Sequence, residues 1–88
     1  MLKVSSPAAA RMAVLLTSRS DHAVLRIIRR DDRLRMRFGE LHPGDETFAH
    51  EGRVVLAIDP RVARSLSLRQ LDLRQTTGGP RLRLMKGK

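Results

Sequence analysis

The stretch GDETFAHEGRVVLAIDPRVARSLSLRQLDL, residues 44–73, contains the signals that decide the fold. Its centre, RVVLAID at residues 53–59, is an apolar run of strand length, which predicts a strand buried on both faces in its middle. A short strand over residues 47–49 precedes it, and the HEG sequence at residues 50–52 is typical of a turn. A hairpin is therefore predicted here.

A helix and two more strands follow this hairpin. Asp59 can cap the free amides of a helix, and Pro60 suits its first turn because proline has no N–H to leave unpaired. We therefore predict a short helix over residues 61–67. Leucines alternate with charged or polar residues over residues 71–76 and 81–85, which predicts two strands around the turn sequence TTGGP.

Residues upstream of position 44 predict a helix and another hairpin. In SSPAAARMAVLLTS, Ser6 is the predicted N-cap and the helix ends near Ser18. Strands over residues 23–30 and 33–38 follow, joined by Asp31-Asp32. In the second strand the inward positions are Leu34, Met36 and Phe38, and the outward ones are Arg33, Arg35 and Arg37.

These elements predict an α+β, mostly β fold in the order β–α–β–β–β–β–α–β–β. Successive hairpins favour a small β-sandwich or flattened barrel of antiparallel and mixed strands, with an N-terminal helix and one short second helix. We expect a single domain over residues 1–85 and a basic C-terminal tail over residues 86–88.

Composition excludes several classes of site. The chain of 88 residues has no cysteine, which excludes disulfides, thiolate ligands and thiol nucleophiles. The longest apolar runs, such as MAVLL at residues 12–16, are far below the about 20 residues of a membrane span. Lys3, Pro7 and Arg11 do not fit a signal peptide. We therefore expect a cytoplasmic protein with no membrane association.

The charge is strongly positive: 18 Lys and Arg against 9 Asp and Glu give +9. Such a field attracts nucleic acid, acidic proteins or anionic lipid. Alternatively, the arginine bias reflects a GC-rich genome and needs no ligand. Seven arginines alternate with apolar residues on the predicted strands and form a candidate basic surface: Arg26, Arg33, Arg35, Arg37, Arg74, Arg81 and Arg83.

A basic surface of this kind would bind polyanions loosely and in a salt-dependent way. Phe38 and Phe48 are the only aromatic residues besides histidine, so base-stacking platforms are missing, and no nucleic-acid-binding motif is present. The sequence favours a plain solvated face over a nucleic-acid site.

No catalytic constellation is recognisable in the sequence. His42 and His50 are the candidate metal ligands, because carboxylates lie near them in HPGDETFAHE. No spacing fixes two of these groups on one face, so a solvated loop is the preferred interpretation and no metal or other cofactor is predicted. Asp31 and Asp32 are explained as turn residues.

The order of these motifs resembles the HesB-like family, the A-type carriers of iron–sulfur cluster assembly. The similarity covers nearly the whole chain, and GDETFAHEGRVVLAIDPRVARSLSLRQLDL is its most specific part. The positions that match the family pattern are Gly44-Asp45, Phe48, Gly52, Ile58-Asp59-Pro60 and residues 66–72. The resemblance implies the carrier fold and a tendency to form homodimers.

The resemblance does not extend to the ligands of the cluster. Family members hold iron or a cluster with three cysteines, one in the loop after the first long strand and two in a Cys-Gly-Cys pair near the C-terminus. Asp31 and Asp32 occupy that first loop here, and clusters need thiolate or, less often, imidazole ligands. We therefore expect a degenerate relative without the cofactor.

The resemblance and the missing ligands together predict a non-enzymatic binding or adaptor protein. Its partner would be an unidentified protein, with an acidic one favoured by charge. The first alternative is a basic protein that associates non-specifically with nucleic acid or another polyanion. The second is a divalent-metal binder that uses His42 and His50.

Overall fold

The structure, a computed structural model, describes residues 1–86, and these contain seven strands and two helices in the predicted order. The elements are β1 (Lys3–Val4), α1 (Ser6–Leu16), β2 (Val24–Arg30), β3 (Arg33–Gly39), β4 (Glu46–His50), β5 (Arg53–Ile58), α2 (Pro60–Ser65), β6 (Arg69–Thr76) and β7 (Gly79–Lys86). Lys86 is the last residue of β7. Gly87 and Lys88, the rest of the predicted tail, lie outside the described residues.

The strands form two separate sheets. One has the order β3-β2-β5-β4 and the other the order β1-β6-β7. The three hairpin pairs are antiparallel, whereas β2 pairs with β5 and β1 pairs with β6 in parallel. Neither sheet closes into a barrel within residues 1–86. The predicted α+β, mostly β class is confirmed, in its sandwich form.

The core lies between the sheets and α1. Its largest fully buried side chains include Met12, Leu16, Leu56, Ile58 and Leu71, from the helix and from both sheets. Each such side chain contributes about 1.5–3 kcal/mol by leaving water. The central strand β5 is buried from Val55 onward, as its unbroken apolar run predicts. No helix in residues 1–86 is long and apolar enough to cross a membrane.

The N-cap of α1 is Ser5 and not Ser6, which corrects the prediction. The Ser5 hydroxyl accepts a hydrogen bond from the Ala8 amide at 3.2 Å and donates one to Asp72 Oδ1 at 2.6 Å. The Ser5 amide also donates to the Leu71 carbonyl at 3.0 Å. Contacts with β6 therefore decide which serine caps the helix. At α2 the predicted cap is confirmed, since Asp59 accepts from the Arg61 amide at 2.8 Å.

The hairpin between β2 and β3 closes through a two-residue turn. Asp31 and Asp32 have φ values of 50° and 62° and lie between the paired residues Arg30 and Arg33. Such a two-residue loop with two left-handed residues is a type I′ turn, which matches the twist of the strands and accepts Asn, Asp or Gly. The two aspartates therefore have a complete structural explanation.

Phe38 is exposed over 36% of its surface, so its predicted inward packing is wrong. It lies near the end of β3, an edge strand, where the other sheet does not cover it. The guanidinium of Arg19 covers the ring instead, with its central carbon 3.8 Å from the ring centroid. This cation–π contact leaves the Phe38 ring without a free face for stacking on that side.

Candidate binding surface

Arg26 is buried, which removes it from the predicted basic surface. It is 7% exposed and forms a two-pronged ion pair with Asp45, in which one N–O distance is 3.1 Å. It also donates to the Glu40 carbonyl at 3.0 Å. A Cβ on Gly39 would lie 2.9 Å from the Arg26 side chain, so the absence of a side chain on Gly39 makes room for the arginine stem.

The pair fixes the loop between β3 and β4. The hydrogen bond from Arg26 lowers the pKa of Asp45, and the His42 amide, which donates to Asp45 at 2.8 Å, lowers it further against the effect of burial. The same hydrogen bond raises the pKa of Arg26. The sequence missed this pair because its partners are far apart along the chain and both residue types are ordinarily exposed.

The other six arginines of the predicted surface are exposed, but they form two groups on different sheets. One group, Arg33, Arg35 and Arg37, is on β3, and the other, Arg74, Arg81 and Arg83, is on β6 and β7. The leucines and Met36 that alternate with them point toward the space between the sheets. The two groups therefore point away from each other and do not make one continuous plate.

The histidines do not assemble a metal site. His42 is exposed, and its backbone is bound to Asp45, whose carboxylate is already occupied by Arg26. The nearest acidic contact of His50 is its neighbour Glu51, at 3.9 Å. Within residues 1–86, no three His, Asp or Glu side chains lie close enough together to hold a metal ion.

A cleft of about 320 Å³ opens between β3 and β7. We call it the β3–β7 cleft. Both strands are sheet edges, and neither is paired on its outer side within the described residues. The apolar residues that line it are Ile27, Leu34, Met36, Leu71, Leu82 and Leu84. Of these, the four on β3 and β7 are half-buried, so the sandwich is open at this side.

The charged residues of the β3–β7 cleft all have one sign. Arg35 and Arg83 lie on its two edge strands, Arg69 lies at its side, and no acidic residue lines it. The Nε of Arg69 is buried without a hydrogen-bond partner among the described residues, and so is the Nε of Arg53. Because that atom is closed to solvent, it is not offered to a ligand, and the charge that the cleft presents is that of the exposed Arg35 and Arg83.

A second hollow, of about 770 Å³, lies at the other end of the larger sheet. It is wider and more open, and it carries both signs of charge, with Asp21 and Glu40 beside Arg53. The charged residues of the β3–β7 cleft have a single sign, and the cleft was not foreseen from the sequence, because Leu34 and Met36 are far along the chain from Leu82 and Leu84.

No protein-family model matches this sequence, and a search of curated proteins finds no significant match. Solved structures do match. The crystal structure of IscA with a 2Fe–2S cluster aligns with a TM-score of 0.65 and 16% identity, over 98% of this chain and 85% of that one.

SufA of Escherichia coli, which is involved in the biosynthesis of iron–sulfur clusters, aligns with a TM-score of 0.70 and 12% identity. The alignment covers 97% of this chain and 79% of SufA. Identities this low establish the fold alone. The similarity inferred from the sequence motifs is therefore confirmed at the level of structure: this chain has the fold of IscA and SufA.

Proposed function

We propose that this chain is a non-enzymatic protein-binding module, built on the fold of the A-type carriers but without their capacity to hold a cluster. The proposal rests on the side chains that are available as cluster ligands. The sequence has no cysteine, and the resemblance puts the first ligand of family members in the loop that is the Asp31-Asp32 turn here.

The residues present do not fit an iron–sulfur cluster. Both aspartates of the turn are exposed, and carboxylate oxygens are hard ligands, whereas cluster iron takes thiolate or imidazole. No three histidine or carboxylate groups converge anywhere in residues 1–86 to replace them. What the described surface does offer is the β3–β7 cleft, with an apolar floor and unpaired strand edges, which are features of a protein-binding site.

The direct test is anaerobic reconstitution with iron and sulfide, followed by desalting, with IscA treated in parallel as the positive control. We expect IscA to retain iron, sulfide and visible absorbance, and this chain to retain none of them. Stoichiometric iron and sulfide on this chain after desalting, lost in a variant without His42 and His50, would refute the proposal and favour an imidazole-ligated cluster.

A further inference from the structure

We propose that the β3–β7 cleft binds an extended segment of a partner protein in which acidic and apolar side chains alternate. This inference deepens the proposed function and rests on it, since it names the surface and the class of partner. It follows from three features of the cleft: its aliphatic floor, its free strand edges and the arginines on the outward faces of those edge strands.

The apolar side chains that form the floor of the cleft are spaced as alternate residues of a strand. Leu34 and Met36 are alternate residues of β3, and Leu82 and Leu84 are alternate residues of β7. Alternate residues of a strand lie about 6–7 Å apart and point the same way. An extended segment laid along either edge would therefore place every second side chain on this floor, while its backbone pairs with the free N–H and C=O groups of that edge.

The outward faces of the two edge strands carry positive charge. Arg33, Arg35 and Arg37 are alternate, exposed residues of β3 on the face opposite the floor, and Arg83 has the same position on β7, where Asp72 is its cross-strand neighbour. A segment paired with the β3 edge points its remaining side chains to this outward face, beside the β3 arginines. A guanidinium forms its strongest hydrogen bonds with a carboxylate, so these alternate positions of the segment must carry Glu or Asp.

Two other occupants fit less well. A second copy of this chain would bring another net charge of +9 and another arginine-bearing edge against the first, and like charges across an interface cost affinity. A nucleic acid would find an aliphatic floor without aromatic side chains on which bases stack. An acidic–apolar segment matches both the floor and the charge.

The test uses the whole chain and a fluorescent peptide as long as β3, in which glutamate and valine alternate, with binding followed by anisotropy. A peptide of the same composition, with its glutamates and valines in two blocks, controls for charge alone. We expect the alternating peptide to bind at least tenfold more tightly, because the blocked peptide cannot place valines on the floor and carboxylates at the arginines together.

Matched variants locate the site. Arg35→Glu places a carboxylate beside the glutamates of the segment and should weaken binding of the alternating peptide about fivefold or more, because an attractive pair becomes a repulsive one. Arg74→Glu makes the same change of charge on the exposed outer face of the smaller sheet and should change binding less than about twofold. Equal thermal unfolding midpoints of the two variants would show that the loss of binding in Arg35→Glu is not a loss of folding.

Several outcomes would overturn the inference. Equal weakening by the two variants would mean that net charge alone attracts the peptide. Full competition by single-stranded DNA, with both peptides binding alike, would indicate a polyanion surface. A dimer in sedimentation that Met36→Glu dissociates, together with no peptide binding, would place a second copy in the cleft. All three results would leave the reconstitution test of the proposed function unaffected.

Discussion

The guanidinium of Arg26 is withdrawn from water by a loop that its own ion pair holds in place. Asp45 and the Glu40 carbonyl receive its hydrogen bonds, and the backbone of His42 completes the coordination of the carboxylate. A buried pair of this kind adds little net stability compared with apolar residues of the same size. Removing one partner is strongly destabilising, however, because the charge of the other partner stays buried without a counter-charge.

Asp45→Ala should lower the free energy of unfolding by about 3–5 kcal/mol, because Arg26 would remain buried without its partner. Denaturant unfolding at neutral pH measures this change. Asp21→Ala, which removes an exposed carboxylate, is the control and should stay within about 0.5 kcal/mol of the wild type. A loss of less than 1 kcal/mol in Asp45→Ala would show that the pair does not hold the loop.

The same variant should show a characteristic dependence on pH. The folded state holds the pKa of Asp45 below its unfolded value of about 3.9, so the stabilisation from its ionised form is complete above that value. It disappears as the pH falls through the lower pKa of the folded state. The stability difference between wild type and Asp45→Ala should therefore shrink below about pH 4, and a constant difference would contradict the assignment.

At the scale of elements, the start of α1 is decided by a contact between the helix and a strand. Both Ser5 and Ser6 are good capping residues by type, and they are adjacent, so local sequence does not choose between them. Ser5 alone reaches Asp72 on β6, where its hydroxyl is also the main cause of the lowered pKa of that aspartate. The cap and the docking of the helix are thus one arrangement.

Ser5→Ala should destabilise the protein by about 0.5–2 kcal/mol, the usual cost of a lost N-cap. It should also return the pKa of Asp72 toward its ordinary value, which NMR titration of the carboxyl group would detect. Ser6→Ala is the matched control, since Ser6 is exposed, and should do neither. An equal loss of stability in both variants would contradict the placement of the cap at Ser5.

At the scale of the whole molecule, the net charge of +9 acts at long range while the arginines stay in separate groups. A field of this sign attracts any polyanion, but the two groups on opposite sheets do not present one surface to a duplex. The charge therefore explains attraction without specificity. The β3–β7 cleft adds what the charge alone lacks, namely an apolar floor with a fixed spacing.

A DNA oligonucleotide should bind weakly at low salt, without preference for sequence, and should be released by about 0.2 M salt. Arginine–phosphate contacts release counterions from the DNA, and this release becomes less favourable as the salt concentration rises. Anisotropy across a salt series measures this. The alternating peptide should lose less affinity over the same range, since part of its binding is apolar. Retention of DNA at high salt, or a clear sequence preference, would contradict this account.

Much of the fold could be predicted because its signals are local. Period-two alternation identified β3, β6 and β7, the unbroken apolar run identified β5, and Asp59-Pro60 identified the start of α2. Composition alone likewise shows that the chain has no thiolate ligand, because its sequence contains no cysteine. These properties depend on one residue and its near neighbours, so the sequence by itself determined them.

The tertiary structure alone decided which surfaces are covered. Alternation assigned Arg26 to an outward face and Phe38 to an inward one, but a loop buries the first and the end of an edge strand exposes the second. The β3–β7 cleft likewise exists because edge strands from distant parts of the chain lie on its two sides without pairing. Periodicity tells which side of a strand a residue faces, whereas burial depends on distant segments that cover that side.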